Sequence, residues 1–152
     1  GVHVTLVRWK NGIGRIVQEE SLDTLRRLVD TQAFNPLAVN HLGQTLAFYA
    51  VQRKASAAEA LSFLADDQKV KLDHVDHAGQ TAAHYLAKTD NVGCLKHFSK
   101  GAINQRDLNG QTPIFFAASS GAPGMIRALF EMGADLRVRD RQHMTVLAWA
   151  RN

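Results

Sequence analysis

The feature that most constrains this chain is an internal repeat. Three segments end in Gly-Gln-Thr and a fourth ends in His-Met-Thr, and their threonines are Thr45, Thr81, Thr112 and Thr145. Successive threonines are therefore 36, 31 and 33 residues apart. A repeat of this length is one supersecondary unit, which cannot bury its own apolar face but does so when copies stack. The sequence therefore predicts an array of stacked units.

Each unit has the pattern of two helices. Thr112 is a favourable N-cap, and Pro113 suits the first helical position, where its missing N–H costs nothing. Gly121 and Gly133 are predicted to end the two helices of this unit. An apolar run follows each threonine and a second run follows the first three, at 46–51, 82–87, 113–118 and 146–150 and then at 57–64, 92–98 and 125–130. This spacing predicts an all-α fold.

The unit with the clearest motif is the one around Thr112. Residues 107–121 read Asp-Leu-Asn-Gly-Gln-Thr-Pro-Ile-Phe-Phe-Ala-Ala-Ser-Ser-Gly, and residues 129–135 read Leu-Phe-Glu-Met-Gly-Ala-Asp. This segment resembles an ankyrin repeat, whose pattern has Thr-Pro-Leu-His, Ala-Ala, Leu-Leu and Gly-Ala-Asp at these points. The unit before it resembles the same pattern through Thr-Ala-Ala-His at 81–84. The unit at 40–75 departs from it, with Leu46 in place of Pro and Phe48 in place of His.

The resemblance implies an ankyrin-repeat solenoid, in which helix–turn–helix units stack and hairpin fingers project to one side. It implies that His84 bonds backbone carbonyls and ties neighbouring repeats together. We expect one domain over residues 1–152, with units at roughly 8–39, 40–75, 76–106, 107–139 and a partial unit at 140–152. The first unit is a divergent repeat or cap, and the second has about three extra residues near 66–71.

Composition excludes several classes of protein. The chain has 152 residues, of which 45% are hydrophobic and 21% are charged, so it is not disordered. One cysteine excludes an internal disulfide and fits an intracellular location, cytoplasmic or nuclear. No apolar run approaches the roughly 18 residues that a membrane span needs. The first residue is not Met and the last unit stops inside its first helix, so we expect the chain to be part of a larger protein.

The resemblance also implies a function, because ankyrin arrays usually bind another protein along the fingers and the adjoining concave helix surface. The net charge of +4 favours acidic partners. We expect the binding residues to be His41, Leu42, Gln44, Arg53, His77, Gln80, Lys88, Arg106, Leu108, Asn109, Gln111, Arg139, Arg141 and Gln142. This set contains five basic residues and no acidic one, which predicts a basic binding face for an acidic or polar protein segment.

Patterns that suggest catalysis or metal binding are weak in this sequence. Residues 73–77 read Asp-His-Val-Asp-His, but alternating side chains in a finger do not converge on one metal. Cys94 and His97 share a helix face, yet Cys94 lies on the apolar stripe and is expected to be buried. The fingers between 39 and 142 hold no aromatic residue for a cage, Trp9 stands alone before a first helix, and Trp149 is expected to pack against a following unit. We therefore expect no enzyme activity, no metal and no cofactor.

Two other functions remain open at this point. Some ankyrin arrays contact RNA, and a basic face is compatible with that, although strong phosphate binding needs about six to ten neutralised charges. The chain is also compatible with a regulatory or targeting domain of a larger enzyme. The favoured interpretation is a non-catalytic protein–protein interaction module.

Overall fold

The computed structural model describes residues 11–151, and within that range the chain forms helices and turns without a strand. The α-helices are α1 (Asn11–Glu19), α2 (Leu22–Asp30), α3 (Ala47–Ala50), α4 (Ala57–Ser62), α5 (Ala82–Leu86), α6 (Lys100–Ile103), α7 (Pro113–Ser120), α8 (Pro123–Glu131) and α9 (Val146–Arg151). A π-helical turn, Phe63–Asp67, extends α4, and a 3₁₀ helix, Val92–His97, precedes α6. None of the helices in this range is long and apolar enough to cross a membrane.

The helices form two rows, as expected for an all-α solenoid. The first helices of the units, α1, α3, α5, α7 and α9, pack side by side in an inner row. The outer row contains α4, the 3₁₀ helix and α8, which pack against one another. The core lies between the rows, and its largest fully buried side chains include Phe48, Leu61, Leu86, Ile114 and Leu129. Each unit buries its apolar face against its neighbours, which confirms the predicted stacking.

The boundaries of α7 and α8 follow the predicted signals. Thr112 has the extended backbone of an N-cap residue, with φ −97° and ψ 169°, and Pro113 begins α7. Gly121 ends α7 with φ 68°, and Gly133 follows α8 with φ 100°. Thr112 occupies the N-cap position, but its side chain does not cap the helix. Its hydroxyl is buried and has no hydrogen-bond partner among the described residues. The helix start therefore depends on Pro113 and on the bond from the Phe115 N–H to the Thr112 carbonyl, at 3.0 Å.

Two units depart from the regular pattern. The extra residues of the second unit are accommodated by the π-helical turn and by Lys69, which has φ 63°. In the third unit the predicted helix at 92–98 is a 3₁₀ helix instead. Gly93 is a poor helix former. Ser99 then begins α6, because its Oγ accepts the Ala102 N–H at 3.1 Å.

The first unit, where the structure describes it, contains α1 and α2. The apolar face of α2, which the spacing of Leu22, Leu25, Leu28 and Val29 predicts, turns to the core, since Leu25 and Val29 are buried and Leu22 and Leu28 are half-buried. Ser21 caps α2 by accepting the Thr24 N–H at 3.2 Å. Trp9 lies outside the described residues.

His84 joins two units as the resemblance implied. Its Nδ1 accepts the Thr81 N–H at 3.0 Å, so Nε2 carries the proton and donates to the Gln111 carbonyl at 3.1 Å. The ring is fully buried and packs edge-to-face on Phe116, with centroids 5.5 Å apart. Burial lowers the pKa of His84, against smaller opposing effects from the Gln111 carbonyl and the nearby carboxylates. The folded protein therefore holds this imidazole in its neutral form.

The neutral state of His84 predicts a pH dependence of stability. The unfolded chain takes up a proton at this residue near its ordinary pKa of about 6.5, whereas the folded chain resists it. The stabilisation is therefore fully present above about pH 6.5 and is lost as the pH falls towards the lower folded-state pKa. We expect the free energy of unfolding, measured by urea denaturation, to fall less between pH 7.5 and pH 5.5 in His84→Gln than in the wild type.

The exposed His143 supplies the control for this experiment. His143→Gln should keep the wild-type pH dependence. Equal pH dependence in wild type and His84→Gln would contradict the assignment of a buried neutral imidazole.

Candidate functional site

Each finger is a tight turn built around one buried Asp or Asn side chain. In the fourth unit, Asp107 Oδ1 accepts the N–H groups of Asn109 and Gln111, both at 2.9 Å. The carbonyl of Asp107 also accepts the Gly110 N–H at 2.9 Å. Asn40, Asp76 and Asp140 make the same pair of side-chain bonds in their fingers, at 2.9–3.0 Å. A side chain with a short acceptor is required here, which explains the recurrence of Asp and Asn before each threonine.

Neighbouring fingers are hydrogen-bonded to one another. The N–H groups of His77, Leu108 and Arg141 donate to carbonyls of the preceding finger at 2.9–3.0 Å. Gln80 Nε2 donates to Asp107 Oδ2 at 3.0 Å, and Gln111 Nε2 donates to Asp140 Oδ2 at 3.1 Å. Gln80 and Gln111 of the repeated Gly-Gln-Thr therefore each brace the next finger. The fingers are one connected surface.

Two of the predicted binding residues were wrong, because their side chains are buried. Gln44 is 3% exposed, and its Nε2 donates to the Tyr85 hydroxyl at 2.7 Å across the unit boundary. Arg53 is 5% exposed, and its Nη1 donates to the Val17 carbonyl at 2.7 Å. Burial lowers the pKa of Arg53, with Glu59 acting in the opposite direction. Both side chains hold units together and are not available to a partner.

The remaining basic residues of the predicted set are exposed: Lys88, Arg106, Arg139 and Arg141. Arg106 donates to the Gly110 carbonyl at 3.1 Å and to the Arg139 carbonyl at 2.8 Å. Arg139 donates to the His143 carbonyl at 3.0 Å. In the part of the chain that the structure describes, basic and acidic groups approach within 4.0 Å only at Arg15–Glu19 and Arg137–Asp135. Arg106 and Arg139 are therefore oriented by neutral carbonyls, and none of the described carboxylates lies within 4.0 Å of a finger arginine.

A cavity of about 310 Å³ lies between the last two fingers and α9. It brings together four predicted residues with two others, and the lining is Asn109, Gln111, Asp140, Arg141, Gln142 and Trp149. The indole N–H of Trp149 donates to Asp140 Oδ2 at 2.9 Å. The expectation that Trp149 packs against a following unit stays a prediction. Although burial raises the pKa of Asp140, hydrogen bonds led by that of Trp149 lower it overall, so the carboxylate stays charged.

The other predicted residues lie at the tips of the fingers. Leu42 and Leu108 are 46% and 57% exposed, and His41 and His77 are also exposed. His77 packs against the preceding finger at Gly43, where an added Cβ would lie 2.7 Å from the imidazole. The tips of the fingers thus expose both apolar and polar side chains.

Sequence reasoning missed a row of aromatic side chains on the inner helices. The fourth residue after each repeated threonine is Tyr49, Tyr85, Phe116 or Trp149, and all four are half-buried. The Lys88 Nζ lies 5.0 Å from the ring centroids of both Tyr85 and Phe116. The fixed offset from the threonine is the signal that would have found them.

The patterns that suggested other chemistry are separated in space. His74 Nε2 bonds the Gly43 carbonyl at 2.8 Å, whereas Asp76 is used within its own finger. Residues 11–151 contain no group of three or more His, Cys, Asp or Glu side chains placed to hold a metal ion. Cys94 is 1% exposed, and burial, with a smaller effect of Glu59, raises the pKa of its thiol to about 11. This thiol is protonated at neutral pH, unlike a catalytic thiolate.

Comparison with known proteins identifies the family. The model of the family described as ankyrin repeats (3 copies) matches residues 48–140. The chain belongs to the ankyrin-repeat family. This confirms the resemblance read from the motif around Thr112.

Individual relatives match over shorter stretches. Protein phosphatase 1 regulatory subunit 27 from Mus musculus is 41% identical over 70 residues, which is 45% of this chain and 46% of the relative. The Homo sapiens protein of the same name is 40% identical over 70 residues, with the same shares. An ankyrin repeat-containing protein of Schizosaccharomyces pombe is 43% identical over 61 residues, 40% of this chain and 28% of that protein. The matches span less than half the length of these relatives.

The contacts between fingers predict opposite effects for two glycine substitutions. Gly110 has φ +76°, and an added Cβ would lie 3.2 Å from both the Arg141 nitrogen and the Asp140 Cα of the next finger. Gly110→Ala should therefore lower the free energy of unfolding by about 1–3 kcal/mol. Gly124 lies in α8 with open space around it, so Gly124→Ala should raise that free energy by about 0.5–1 kcal/mol.

Both values are measured by urea denaturation at one pH. Gly124→Ala serves as the matched control, because it makes the same chemical change in a helix. A Gly110→Ala protein as stable as the wild type would show that neighbouring fingers do not constrain each other.

Proposed function

We propose that this chain is a non-catalytic module that binds an acidic or polar segment of another protein through its fingers and concave face. Membership of the ankyrin-repeat family supports a protein partner. The observation that carries the finer proposal is the cavity between the last two fingers. Its lining combines Arg141, Asn109, Gln142 and Trp149 with the Asp140 carboxylate, which already accepts hydrogen bonds from Trp149 and Gln111.

The charge on the fingers supports an acidic ligand. Arg106 lies on one finger and Arg139 and Arg141 lie on the next, and neighbouring fingers are about 10 Å apart at ordinary helix-packing distances. Each exposed pair contributes only about 0.2–1 kcal/mol, so no single arginine defines the site. A row of like charges raises the association rate and selects acidic partners. Arg106 and Arg139 are already fixed by their bonds to carbonyls, which reduces the entropy lost on binding.

The names of the relatives suggest a first partner to test. The mouse and human proteins are named as regulatory subunits of protein phosphatase 1. A role as a regulatory or targeting component of an enzyme assembly fits a module that binds protein and holds no convergent catalytic set among its described residues. We accordingly propose a catalytic subunit of protein phosphatase 1 as the first candidate partner.

The domain and the compartment follow from the same reasoning. We propose that residues 1–152 form one ankyrin domain with the unit boundaries given above, since every described helix falls inside a single unit. We also propose an intracellular location, cytoplasmic or nuclear, in keeping with a single, buried, unpaired cysteine.

Nucleic acid is the weaker alternative. Strong phosphate binding needs about six to ten neutralised charges, and four of the predicted basic residues are exposed. Stacking of single-stranded bases on the inner aromatic residues is the feature that favours RNA. The same experiment therefore includes an RNA arm.

The test reverses the charge of the fingers in Arg106→Glu, Arg139→Glu and Arg141→Glu together. Binding is measured by biolayer interferometry to the phosphatase catalytic subunit and to polyuridylate, and by capture from lysate with mass spectrometry. We expect at least tenfold weaker binding of the protein partner, and wild-type binding that weakens as salt increases. The matched control changes three exposed residues of the outer helices, Arg27, Lys96 and Arg127, to Glu.

The outcomes separate the alternatives. Equal binding of finger and control variants, with the fold intact by circular dichroism, would contradict a basic finger surface. Salt-dependent binding of polyuridylate without a protein partner would replace the proposal with RNA binding. If the wild type does not bind the phosphatase subunit, but the finger variant loses proteins that the wild type captures from lysate, the proposed partner is wrong and the proposed finger surface stands.

A further inference from the structure

The aromatic row on the inner helices has the properties of a pre-organised docking strip, which consists of Tyr49, Tyr85, Phe116 and Trp149. The polar atoms of its members are already bonded within the protein. Gln44 donates to the Tyr85 hydroxyl at 2.7 Å, and the Trp149 indole donates to Asp140 at 2.9 Å. Phe48 and His84 hold the two central rings edge-to-face, with centroids 5.3 Å from Tyr85 and 5.5 Å from Phe116. The rings are fixed before any ligand arrives, so binding costs little side-chain entropy.

Lys88 places a positive charge at the centre of this strip. Its Nζ lies over both Tyr85 and Phe116, at 5.0 Å from each centroid, while the residue stays exposed. None of the described carboxylates lies within 4.0 Å of it. An ammonium held over two rings is oriented by cation–π attraction and keeps its N–H donors available. The Lys88 ammonium is therefore oriented to bind a carboxylate of a ligand that packs on the aromatic rings.

The same geometry excludes a cationic ligand at this position. The Lys88 ammonium already lies 5.0 Å from both ring centroids, at the position that the ammonium of a methylated lysine would take. A second cation there would be repelled by a charge of the same sign. The strip selects for the opposite charge.

We infer that the strip binds an extended peptide segment in which an acidic residue lies next to an aromatic or large apolar residue. The acidic side chain pairs with Lys88, and the apolar side chain packs on Phe116 or Trp149. This inference rests on the proposed function, because it specifies the ligand of the same concave face. The inference goes beyond the proposed function because it assigns the selectivity for acidic ligands to the inner helices as well as to the finger arginines.

The spacing between two positive groups limits the ligand further. Lys88 belongs to the third unit and Arg141 to the fifth. Measured along the axis of the stack, two units correspond to about 20 Å at about 10 Å per unit. An extended chain advances about 3.3 Å per residue and covers that distance in about six residues. The preferred segment therefore carries a second acidic residue about six positions from the first, which reaches the cavity at Arg141.

The test begins with selection from a display library of random 12-residue peptides on the wild-type protein. We expect the selected peptides to be enriched in Asp or Glu beside Phe, Tyr, Trp, Leu or Ile, with a second acidic residue about six positions away. Synthetic selected peptides are then titrated by fluorescence anisotropy against Lys88→Glu, Phe116→Leu and the control Lys96→Glu. The first should bind at least tenfold more weakly, the second at least threefold more weakly, and the control within twofold of wild type.

Lys96 is the matched control because it is an exposed lysine on the outer row, where the same charge change does not face the strip. Phe116→Leu removes the ring but keeps apolar volume. Circular dichroism and the thermal midpoint confirm that each variant is folded.

The outcomes distinguish this inference from the proposed function. Selected peptides without acidic enrichment, or full binding to Lys88→Glu, would overturn the inference. If binding then still falls in the variant with all three finger arginines changed to Glu, the finger surface stands without the strip. If binding survives in both variants, the inference and the proposed basic face are both wrong.

Discussion

The buried Asp or Asn at the base of each finger is the interaction on which the rest of the structure depends. One carboxylate or amide oxygen closes its own turn, and in Asp107 and Asp140 the second oxygen receives the glutamine of the preceding finger. Four buried acceptors of this kind would destabilise the chain if left unpaired. Because each acceptor is hydrogen-bonded, the acceptors fix the distance between neighbouring fingers and hence the spacing of the side chains on them. The positions of the finger arginines and of the cavity at Trp149 depend on that spacing.

The helices need this support because they are short. The five first helices contain four to nine residues each, a length that is unstable in isolation. Their stability comes from contacts with the helices before and after, as in other stacked repeats. His84, Gln44 and Arg53 each donate a hydrogen bond across a unit boundary. Such polar bonds specify the register of the stack, whereas apolar packing between small residues tolerates sliding. A binding surface that spans several units requires this register.

The sequence was sufficient for the fold but only partly for the surface. The spacing of the threonines, the Thr112–Pro113 pair and the glycines after α7 and α8 predicted the stacked array and the ends of α7 and α8 correctly, because these signals are local. Alignment of the units with the ankyrin-repeat pattern predicted which residues lie on the fingers. It could not predict that Gln44 and Arg53 turn inwards, because their partners, Tyr85 and Val17, come from other units. Long polar side chains choose between water and a distant carbonyl according to tertiary contacts.

The aromatic strip was overlooked for a related reason. The sequence shows that four aromatic residues share one offset from the repeated threonine, but only the stacked structure shows that their side chains form a row on the inner helices. The 3₁₀ helix at Val92–His97 likewise depends on competition between a weak helix and the cap at Ser99. In both cases the deciding factor is a contact between segments that the linear pattern does not contain.

Amide hydrogen exchange at the finger boundaries tests the central claim most directly. The N–H groups of Leu108 and Arg141 lie in exposed turns but donate to Ala78 and Asn109 of the preceding finger at 3.0 and 2.9 Å. If the fingers form one connected surface, these two amides exchange as slowly as amides inside α7 and require opening of the stack. Exchange as fast as that of an unbonded surface loop would show that the fingers move independently, and the spacing on which the binding surface depends would not be fixed.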